Sequence, residues 1–321
     1  MKKVRYRSFV WIALVLAIIV QPVPGCRQSG HPEGSSNGLP ERVVSLSPNL
    51  TQIIFALGAE EKLVGVDDYS VYPPAAAELP RVGNYLDPDL ERLIAARPDL
   101  VLVVDTDERM TDMLSGLGIE HEDFGNDTIR DILESIGRLG TLLDREERAR
   151  ELVGAFDEAR AVVETGLERV RPVRVALVVG RNPGRLQDIY VAGSGNFLGE
   201  LIKIAGGENV FGRQALPWPQ IGVEALVGSD PDVIIDSTLS KGATDEAFEA
   251  LRQDWNDLPS LRAVQNDRII VPREGWFQIP GAYLDSTLML IAHWLHPEVF
   301  PEEVSDPDLS RQMPAERSED E

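Results

Sequence analysis

Short apolar runs recur along most of the chain and alternate with amphipathic segments. Residues 42–47, 63–66, 99–104 and 173–179 are rich in Val, Leu and Ile and predict short β-strands. The run at 99–104 is almost entirely apolar, which is typical of a strand that is covered on both faces. Strands of this kind, separated by helical segments, predict an α/β fold with parallel sheets.

The helical segments carry recognisable start and stop signals. Ser47 and Pro48 suit the cap and first position of a helix, and Gly58 suits the residue that follows its end. Residues 88–96 place three apolar residues on one face, with Asp87 as the predicted cap.

A longer helix is predicted in the middle of the chain. Asp144 and Glu147 have the spacing of a capping box, and no proline occurs from there to Pro172. Apolar residues recur at helical spacing across residues 144–170, which predicts a helix of about 25 residues.

The two α/β regions on either side of this helix resemble each other. Residues 90–101 match residues 223–234 at a constant offset of 133 positions, with a shared Glu and a shared Pro-Asp pair. The rhythm of any two helix–loop–strand units is the alternative explanation. The repeat predicts two similar lobes, residues 41–143 and 171–300, joined by the long helix with a cleft between them.

Both ends of the chain have a different composition. Residues 1–25 combine a basic start with a twelve-residue apolar run, which predicts a secretory signal. The stretch before Cys26 resembles the lipobox of bacterial lipoproteins, and this implies that Cys26 carries a lipid anchor; an ordinary signal peptide with an unrelated thiol is the alternative. Residues 26–40 predict a flexible tether, and residues 301–321 a disordered acidic tail.

Charge and composition exclude several functions. The 321-residue chain has a formal net charge of −22, so a general basic surface for nucleic acid is excluded. The single cysteine excludes an intramolecular disulfide and a cysteine-based metal site. The four histidines have no zinc-site spacing, and no Walker A loop occurs. The one GxSxG match, GSSNG at 34–38, lies in a Gly- and Ser-rich stretch and not at the strand-to-helix turn that a nucleophile elbow requires. We predict no catalytic residues, no metal, no cofactor and no enzymatic activity.

Aromatic residues are few, but several lie in loops beside Pro and Gly between predicted strands and helices. At the edge of an α/β sheet such loops usually bind ligands. An aromatic set drawn from both lobes predicts a cleft for a large, flat or apolar ligand. The alternative is that each ring closes the end of its own lobe. The set comprises Tyr69, Tyr85, Tyr190, Trp218, Trp276 and Phe277.

These loops carry a family resemblance. The segments RVVSLSPNLTQIIFALG, VGVDDYSVYPP, LPRVGNYLDPDLERLIAARPDLVL, GGENVFGRQALPWPQI and EGWFQIPG resemble the substrate-binding proteins of cobalamin and ferric-siderophore ABC importers. The resemblance covers about residues 41–297. It implies two α/β lobes on one backbone helix, an extracytoplasmic location with only a lipid anchor touching the membrane, and a permease dimer with its ATPase as the partner.

Within that family the cobalamin binders are the most similar group. The resemblance implies that Tyr69, Trp218, Trp276 and Phe277 line the cleft and hold a corrinoid. Tyr85 stands where the cobalamin binders have Trp, and Tyr190 where they have Phe.

A ferric siderophore or haem is the alternative ligand implied by the resemblance. Relatives that bind such ligands have basic or metal-ligating pockets, to which Arg181, Arg185 and Tyr85 would belong. An exported enzyme or a scaffold lipoprotein that reuses the fold is the remaining alternative.

The resemblance also implies a role for two glutamates. One acidic residue on each lobe meets arginines of the permease subunits in such proteins, and Glu91 and Glu224 occupy those places. They are also the shared Glu of the internal repeat. The alternative is that each is a solvated acid in the first turn of a helix, where the helix dipole favours it.

Overall fold

The computed structural model describes residues 38–84, 86–104, 108–239 and 243–301. The predicted signal segment, Cys26, and nearly all of the predicted tether and tail lie outside these ranges. The elements below belong to one compact unit, Leu39–Glu321. Within the described ranges no helix combines the length and the apolar character needed to cross a membrane.

The first half of the unit is a parallel α/β layer, which we call the N-terminal lobe. Its four-stranded sheet has the order β2-β1-β3-β4, and every neighbouring pair is parallel. The strands are β1 Val43–Ser45, β2 Leu63–Val66, β3 Leu100–Val104 and β4 His121–Phe124. The helices are α1 Pro48–Ala56, α2 Leu90–Ala96, α3 Glu108–Gly116 and α4 Ile129–Leu142.

The second half, which we call the C-terminal lobe, contains a six-stranded sheet of order β10-β9-β5-β6-β8, with β7 also paired to β5. The strands are β5 Val173–Gly180, β6 Ile189–Val191, β7 Gly207–Asn209, β8 Gln220–Ile221, β9 Val233–Asp236 and β10 Ile269–Ile270. The helices are α6 Phe197–Ile204, α7 Val223–Ser229, α8 Asp245–Gln253, α9 Arg262–Gln265 and α10 Leu284–Leu295. Because β6 is antiparallel to both β5 and β8, this sheet is mixed and not purely parallel as predicted.

The predicted helix connects the two lobes, but it begins and ends at other residues than the sequence predicts. It is α5, Glu146–Gly166, whose 21 residues span about 32 Å. Asp144 does not cap it, because its backbone is left-handed (φ 60°); Arg145 is the N-cap residue. The predicted lobe boundaries at 143/144 and 170/171 stay predictions.

The internal repeat is visible in how each lobe ties a helix to a strand. In the N-terminal lobe the Asp99 carboxylate accepts a hydrogen bond from the backbone N–H of Arg42, 3.1 Å away, just before β1. In the C-terminal lobe the Asp232 carboxylate accepts one from the N–H of Arg174, also 3.1 Å away, where β5 begins. Asp99 and Asp232 are 133 residues apart, so the offset found in the sequence pairs residues with the same structural role.

The helices that precede these aspartates also match. α2 and α7 each have seven residues and each ends on a left-handed residue, Arg97 (φ 47°) and Asp230 (φ 41°). The Arg42 side chain bonds the Ala96 carbonyl at the end of α2, and Arg174 bonds the corresponding Ser229 carbonyl at the end of α7. The prediction of two similar lobes is confirmed at this level of detail.

The two lobes share one hydrophobic core. A single cluster of buried residues contains Leu50 and Ile53 of α1, Phe156 of α5, and Leu177 and Leu288 of the C-terminal lobe. Two smaller clusters cover the other faces of the two sheets. The lobes are therefore packed against each other as well as joined by α5.

Hydrogen bonds between the lobes reinforce this junction. The Gln52 side-chain oxygen accepts a buried hydrogen bond of 2.9 Å from the backbone N–H of Ala282, 230 residues away. Glu200 of α6 accepts one of 2.8 Å from the N–H of Ile129, which opens α4. A Cβ atom at Gly281 would overlap the Gln52 side chain, so the close approach requires glycine at that position.

Candidate ligand-binding cleft

A cavity lies where the carboxyl ends of the two sheets face each other. Its volume is about 290 Å³, and both lobes line it: Asn126 and Asp127 follow β4, while Val179, Phe197, Leu198, Trp218, Gln278 and Pro280 belong to the C-terminal lobe. Ligands of open α/β sheets bind at this edge. The volume is at the lower end of ligand pockets, so a macrocyclic ligand would extend from the cavity onto the rims around it.

The Tyr69 loop follows β2, at the carboxyl edge of the N-terminal sheet. Tyr69 is 63% exposed, and its backbone N–H donates a 2.9 Å hydrogen bond to the carboxylate of Asp67. The Ser70 hydroxyl donates to the other oxygen of that carboxylate. Asp67 is buried, and burial raises its pKa above the ordinary value despite these hydrogen bonds. A buried carboxyl group thus fixes the backbone that presents an exposed aromatic ring.

The raised pKa of Asp67 predicts a measurable pH dependence of stability. The folded protein retains a proton that the unfolded chain has already released, so the free energy of unfolding falls as the pH rises from about 4 through the folded-state pKa. Asp67→Asn removes this titration, and the stability of the wild-type protein relative to the variant should fall between about pH 4 and about pH 7. Denaturant unfolding at both pH values checks this, with Asp157→Asn at an exposed position of α5 as the control. An unchanged difference would contradict the shift.

Two exposed aliphatic residues that sequence reasoning missed, Val71 and Leu86, lie in the same stretch of chain between β2 and α2. Leu86 is 63% exposed and Val71 is 49% exposed. The Asn84 side chain accepts hydrogen bonds from the N–H groups of Leu86 and Asp87, which fixes a tight turn. Neighbouring Tyr85, predicted as a ligand contact, lies outside the described residues, so its role stays a prediction. The sequence did offer a signal for Leu86: it is an apolar residue in the GNYLDP loop, outside the predicted strands and helices.

In the C-terminal lobe, β6 and the segment that leads to β8 carry further exposed side chains. Tyr190 is 43% exposed, and it pairs with Gln220 in the antiparallel ladder. Trp218 is 38% exposed and lines the cavity, and Leu216 beside it is 64% exposed. The backbone of this segment is held by hydrogen bonds from the Gly193 N–H to Pro217 and from the Val191 N–H to Pro219. Leu216 is a third exposed aliphatic residue that sequence reasoning missed.

The predicted exposure of Trp276 and Phe277 is wrong. Each side chain is only 1% exposed and belongs to the shared core. The Trp276 ring makes an edge contact with Tyr283 at 6.3 Å, and Tyr283 makes another with Tyr72 of the N-terminal lobe at 5.9 Å. Phe277 packs on Trp294 at 5.3 Å. Neither ring offers a ligand surface in this structure, although a contact in a ligand-bound state stays a prediction.

Arg181, a residue that a haem or siderophore pocket would use, makes its hydrogen bonds within the protein instead. Its side chain is fully buried and donates 2.8 Å hydrogen bonds to the carboxylates of Asp236 and Asp254, and another to the Leu251 carbonyl. Asp236 also accepts a hydrogen bond from the Trp255 ring. This network ties β9 to α8 and leaves Arg181 unavailable to a ligand. Arg185, by contrast, is exposed.

Two histidines near the end of α10 contact backbone carbonyls. Nδ1 of His293 lies 2.7 Å from the Phe300 oxygen, and Nε2 of His296 lies 3.4 Å from the Gly206 oxygen. Both rings therefore help to hold the last helix in place. Within the described ranges, no three His, Cys, Asp or Glu side chains are grouped so that they could hold a metal ion.

Glu91 and Glu224 lie at equivalent places, in the first turns of α2 and α7. Both side chains are exposed, and neither carboxylate bonds another residue of the described ranges. Each helix leads into a strand of a parallel pair, so its first turn lies at the carboxyl edge, on the cleft side of its sheet. The two acids thus mark corresponding points on the two lobes.

A larger groove, of about 730 Å³, lies elsewhere, between α4, α5 and α6. Two ion pairs lie in its walls, Arg130 with Glu134 and Arg160 with Glu164, each at 2.8 Å. Its location on helix surfaces, away from the sheet edges, makes it a weaker candidate site than the smaller cavity between the lobes.

Comparison with known proteins agrees with this geometry. Residues 43–274 match the family described as periplasmic binding protein. The vitamin B12-binding protein of Vibrio parahaemolyticus is 31% identical over 243 residues, which cover 75% of this chain and 84% of that protein. The vitamin B12-binding protein of Yersinia pestis (strain Pestoides F) is 30% identical over 234 residues, covering 69% and 82% respectively.

Solved structures of other periplasmic binding proteins have the same fold as this chain. The periplasmic vitamin B12-binding protein of Vibrio cholerae has a TM-score of 0.67 at 26% identity, covering 80% of this chain and 96% of that chain. A periplasmic haem-binding protein from Pseudomonas aeruginosa has a TM-score of 0.70 at 26% identity, covering 84% and 96%. The two differ in ligand, so fold similarity alone does not distinguish a corrinoid from haem.

Proposed function

Since this chain belongs to the periplasmic binding protein family, we propose that it captures cobalamin or a related corrinoid outside the cytoplasm and delivers it to the permease of an ABC importer. The observation that carries this proposal is the cavity between the facing sheet edges, which Trp218 lines, together with exposed aromatic and aliphatic side chains in the loops of both lobes. Such a surface suits a large ligand with apolar faces.

The choice of a corrinoid rests on two further points. The curated relatives described above are named vitamin B12-binding proteins and cover more than four-fifths of their own length. In addition, the buried Arg181 is saturated by Asp236 and Asp254, which removes one cation that an anionic siderophore or haem would use. Haem is the second candidate, supported by the haem-binding structural relative and the exposed Arg185.

The same proposal covers location and partners. We infer that residues 1–25 direct export and that Cys26 carries the lipid anchor, with residues 26–40 as the tether. We infer that Glu91 and Glu224 contact cationic side chains of the two permease subunits, one glutamate on each subunit. A permease dimer with two-fold symmetry offers two equivalent contact sites, which match two equivalent acids. Transport energy then comes from the ATPase, and the binding protein performs no chemistry on its ligand.

Calorimetric titration of the purified protein tests the ligand. Cyanocobalamin, haemin and a ferric siderophore are titrated in parallel under the same conditions. We expect tight one-to-one binding of cyanocobalamin alone. Binding of haemin or of the siderophore without cyanocobalamin would contradict the corrinoid assignment, whereas binding of none of the three would contradict the proposed function.

Trp218→Ala tests the aromatic rim. The ring lines the cavity and is partly exposed, so its loss should weaken cyanocobalamin binding by about 2 kcal/mol, or about 30-fold, with little change in the free energy of unfolding. Trp218→Phe keeps an aromatic face and should retain most of the affinity. Val162→Ala on α5, which removes exposed aliphatic surface outside the cleft, is the control. An unchanged affinity in the alanine variant would exclude Trp218 as a ligand contact.

A further inference from the structure

The exposed apolar residues are not scattered evenly over the molecule. Twelve large hydrophobic side chains are exposed in the described part of the chain. Six belong to the loops and short strands described above, and of these Trp218 lines the cavity: Tyr69, Val71, Leu86, Tyr190, Leu216 and Trp218. Three belong to the two helices that carry the exposed glutamates: Leu90 and Ile94 on α2, and Val227 on α7. None of these three is among the residues that we propose to contact the ligand, so ligand binding does not account for their exposure.

Each glutamate has an exposed aliphatic neighbour at the same spacing. Ile94, 50% exposed, follows Glu91 by three residues, and Val227, 39% exposed, follows Glu224 by three. Residues three apart on a helix lie side by side on one face. Ile94 and Val227 are themselves 133 residues apart, so the acid and the aliphatic residue both repeat.

The orientation of this face is set by a buried leucine in each helix. Leu93 of α2 and Leu226 of α7 are completely buried in their lobes, and they too are 133 residues apart. With the same residue anchored inward in helices of the same length, the two acid-and-aliphatic faces are presented in the same way. We call them the paired patches: Glu91 with Ile94, and Glu224 with Val227.

We propose that the paired patches form one docking surface, in which Ile94 and Val227 contact apolar side chains beside the cations that receive Glu91 and Glu224. The partner is a membrane protein with a two-fold axis that presents a cation next to an apolar residue in each subunit. This rests on the proposed function and adds residues to it. An exposed ion pair alone contributes little, whereas adjacent aliphatic contacts bury apolar area and exclude water from the pair.

Removing the aliphatic groups without changing charge tests the proposal. Ile94→Ser combined with Val227→Ser should weaken capture by the permease and reduce uptake of labelled cyanocobalamin by about tenfold or more, in cells that depend on this protein. Affinity for cyanocobalamin and the free energy of unfolding, measured on the purified full-length protein, should not change. Leu117→Ser with Val162→Ser removes two exposed aliphatic residues elsewhere and should leave uptake normal.

The outcomes distinguish the aliphatic contacts from the docking role of the two glutamates. If the serine double variant transports normally while Glu91→Arg with Glu224→Arg does not, the aliphatic contacts are excluded and the acidic docking role stands. If both double variants transport normally, docking through these helices is excluded altogether. If the serine variants unfold more easily, the Ile94→Ala and Val227→Ala pair, which favours the helix, replaces them under the same criteria.

Discussion

Replacing Glu91 and Glu224 together by arginine is expected to abolish uptake while cyanocobalamin affinity of the purified protein stays unchanged. Both carboxylates are exposed in first helical turns, without a partner among the described residues, so neither change disturbs the core. Reversing their charge turns attraction to permease cations into repulsion at both contact points, which costs affinity and slows encounter. Ligand binding, carried by the cleft, is unaffected.

The control carries the same change in net charge. Glu147→Arg with Glu246→Arg alters two exposed glutamates in the first turns of α5 and α8, neither of them on the paired patches. Uptake of labelled cyanocobalamin is measured for both double variants at equal protein levels. If the control loses uptake as severely as the test variant, the effect reflects overall charge, and the docking role is refuted.

Trp276→Ala is expected to lower the free energy of unfolding by about 3–5 kcal/mol. The ring is 1% exposed and lies next to Tyr283, which in turn contacts Tyr72 of the other lobe. Alanine would leave a cavity at the junction of the lobes that the surrounding rings cannot fill. Denaturant unfolding measures the loss, and Trp276→Phe, which retains most of the volume, should cost clearly less.

This result also separates two roles for Trp276. If Trp276→Ala weakens cyanocobalamin binding without lowering stability, the ring acts as a ligand contact in a conformation different from the one described. If stability falls as expected and the folded variant binds normally, the role is packing. Trp218→Ala, which affects affinity and spares stability, is the opposite case.

Sequence reasoning succeeded where local chemistry decides the structure. The strand at 63–66 and the helix that begins at Pro48 were predicted correctly, because apolar runs and the Pro and Gly signals act within a few residues. The shared Glu and Pro-Asp positions located equivalent helices in both lobes. Even so, Asp87 was the wrong cap: α2 begins after Asp89, whose carboxylate accepts the Arg92 N–H.

The errors concern properties that depend on distant residues. Trp276 lies between a strand and a helix, which favours exposure. In the structure Tyr283 packs against it, and Tyr72, about 200 residues earlier in the chain, packs against Tyr283. The antiparallel β6 and β8 have three and two residues, too few for a recognisable pattern. Arg181 has the appearance of a ligand-binding cation in the sequence, and only the fold brings Asp236 and Asp254 to it.

The bond between Gln52 and Ala282 bears on how the ligand leaves the protein. Both lobes share one core, and this bond and that between Glu200 and Ile129 join them, so we expect capture to need little rearrangement. Little of the binding free energy would then be spent on ordering the protein. Release is then the difficult step. A partner can lower the affinity only by binding a spread-apart form more tightly than the form described here. In the proposed transport cycle, the work of separating the lobes is therefore done by the transporter, and the rigidity of the junction sets how much ATP-driven strain it must apply.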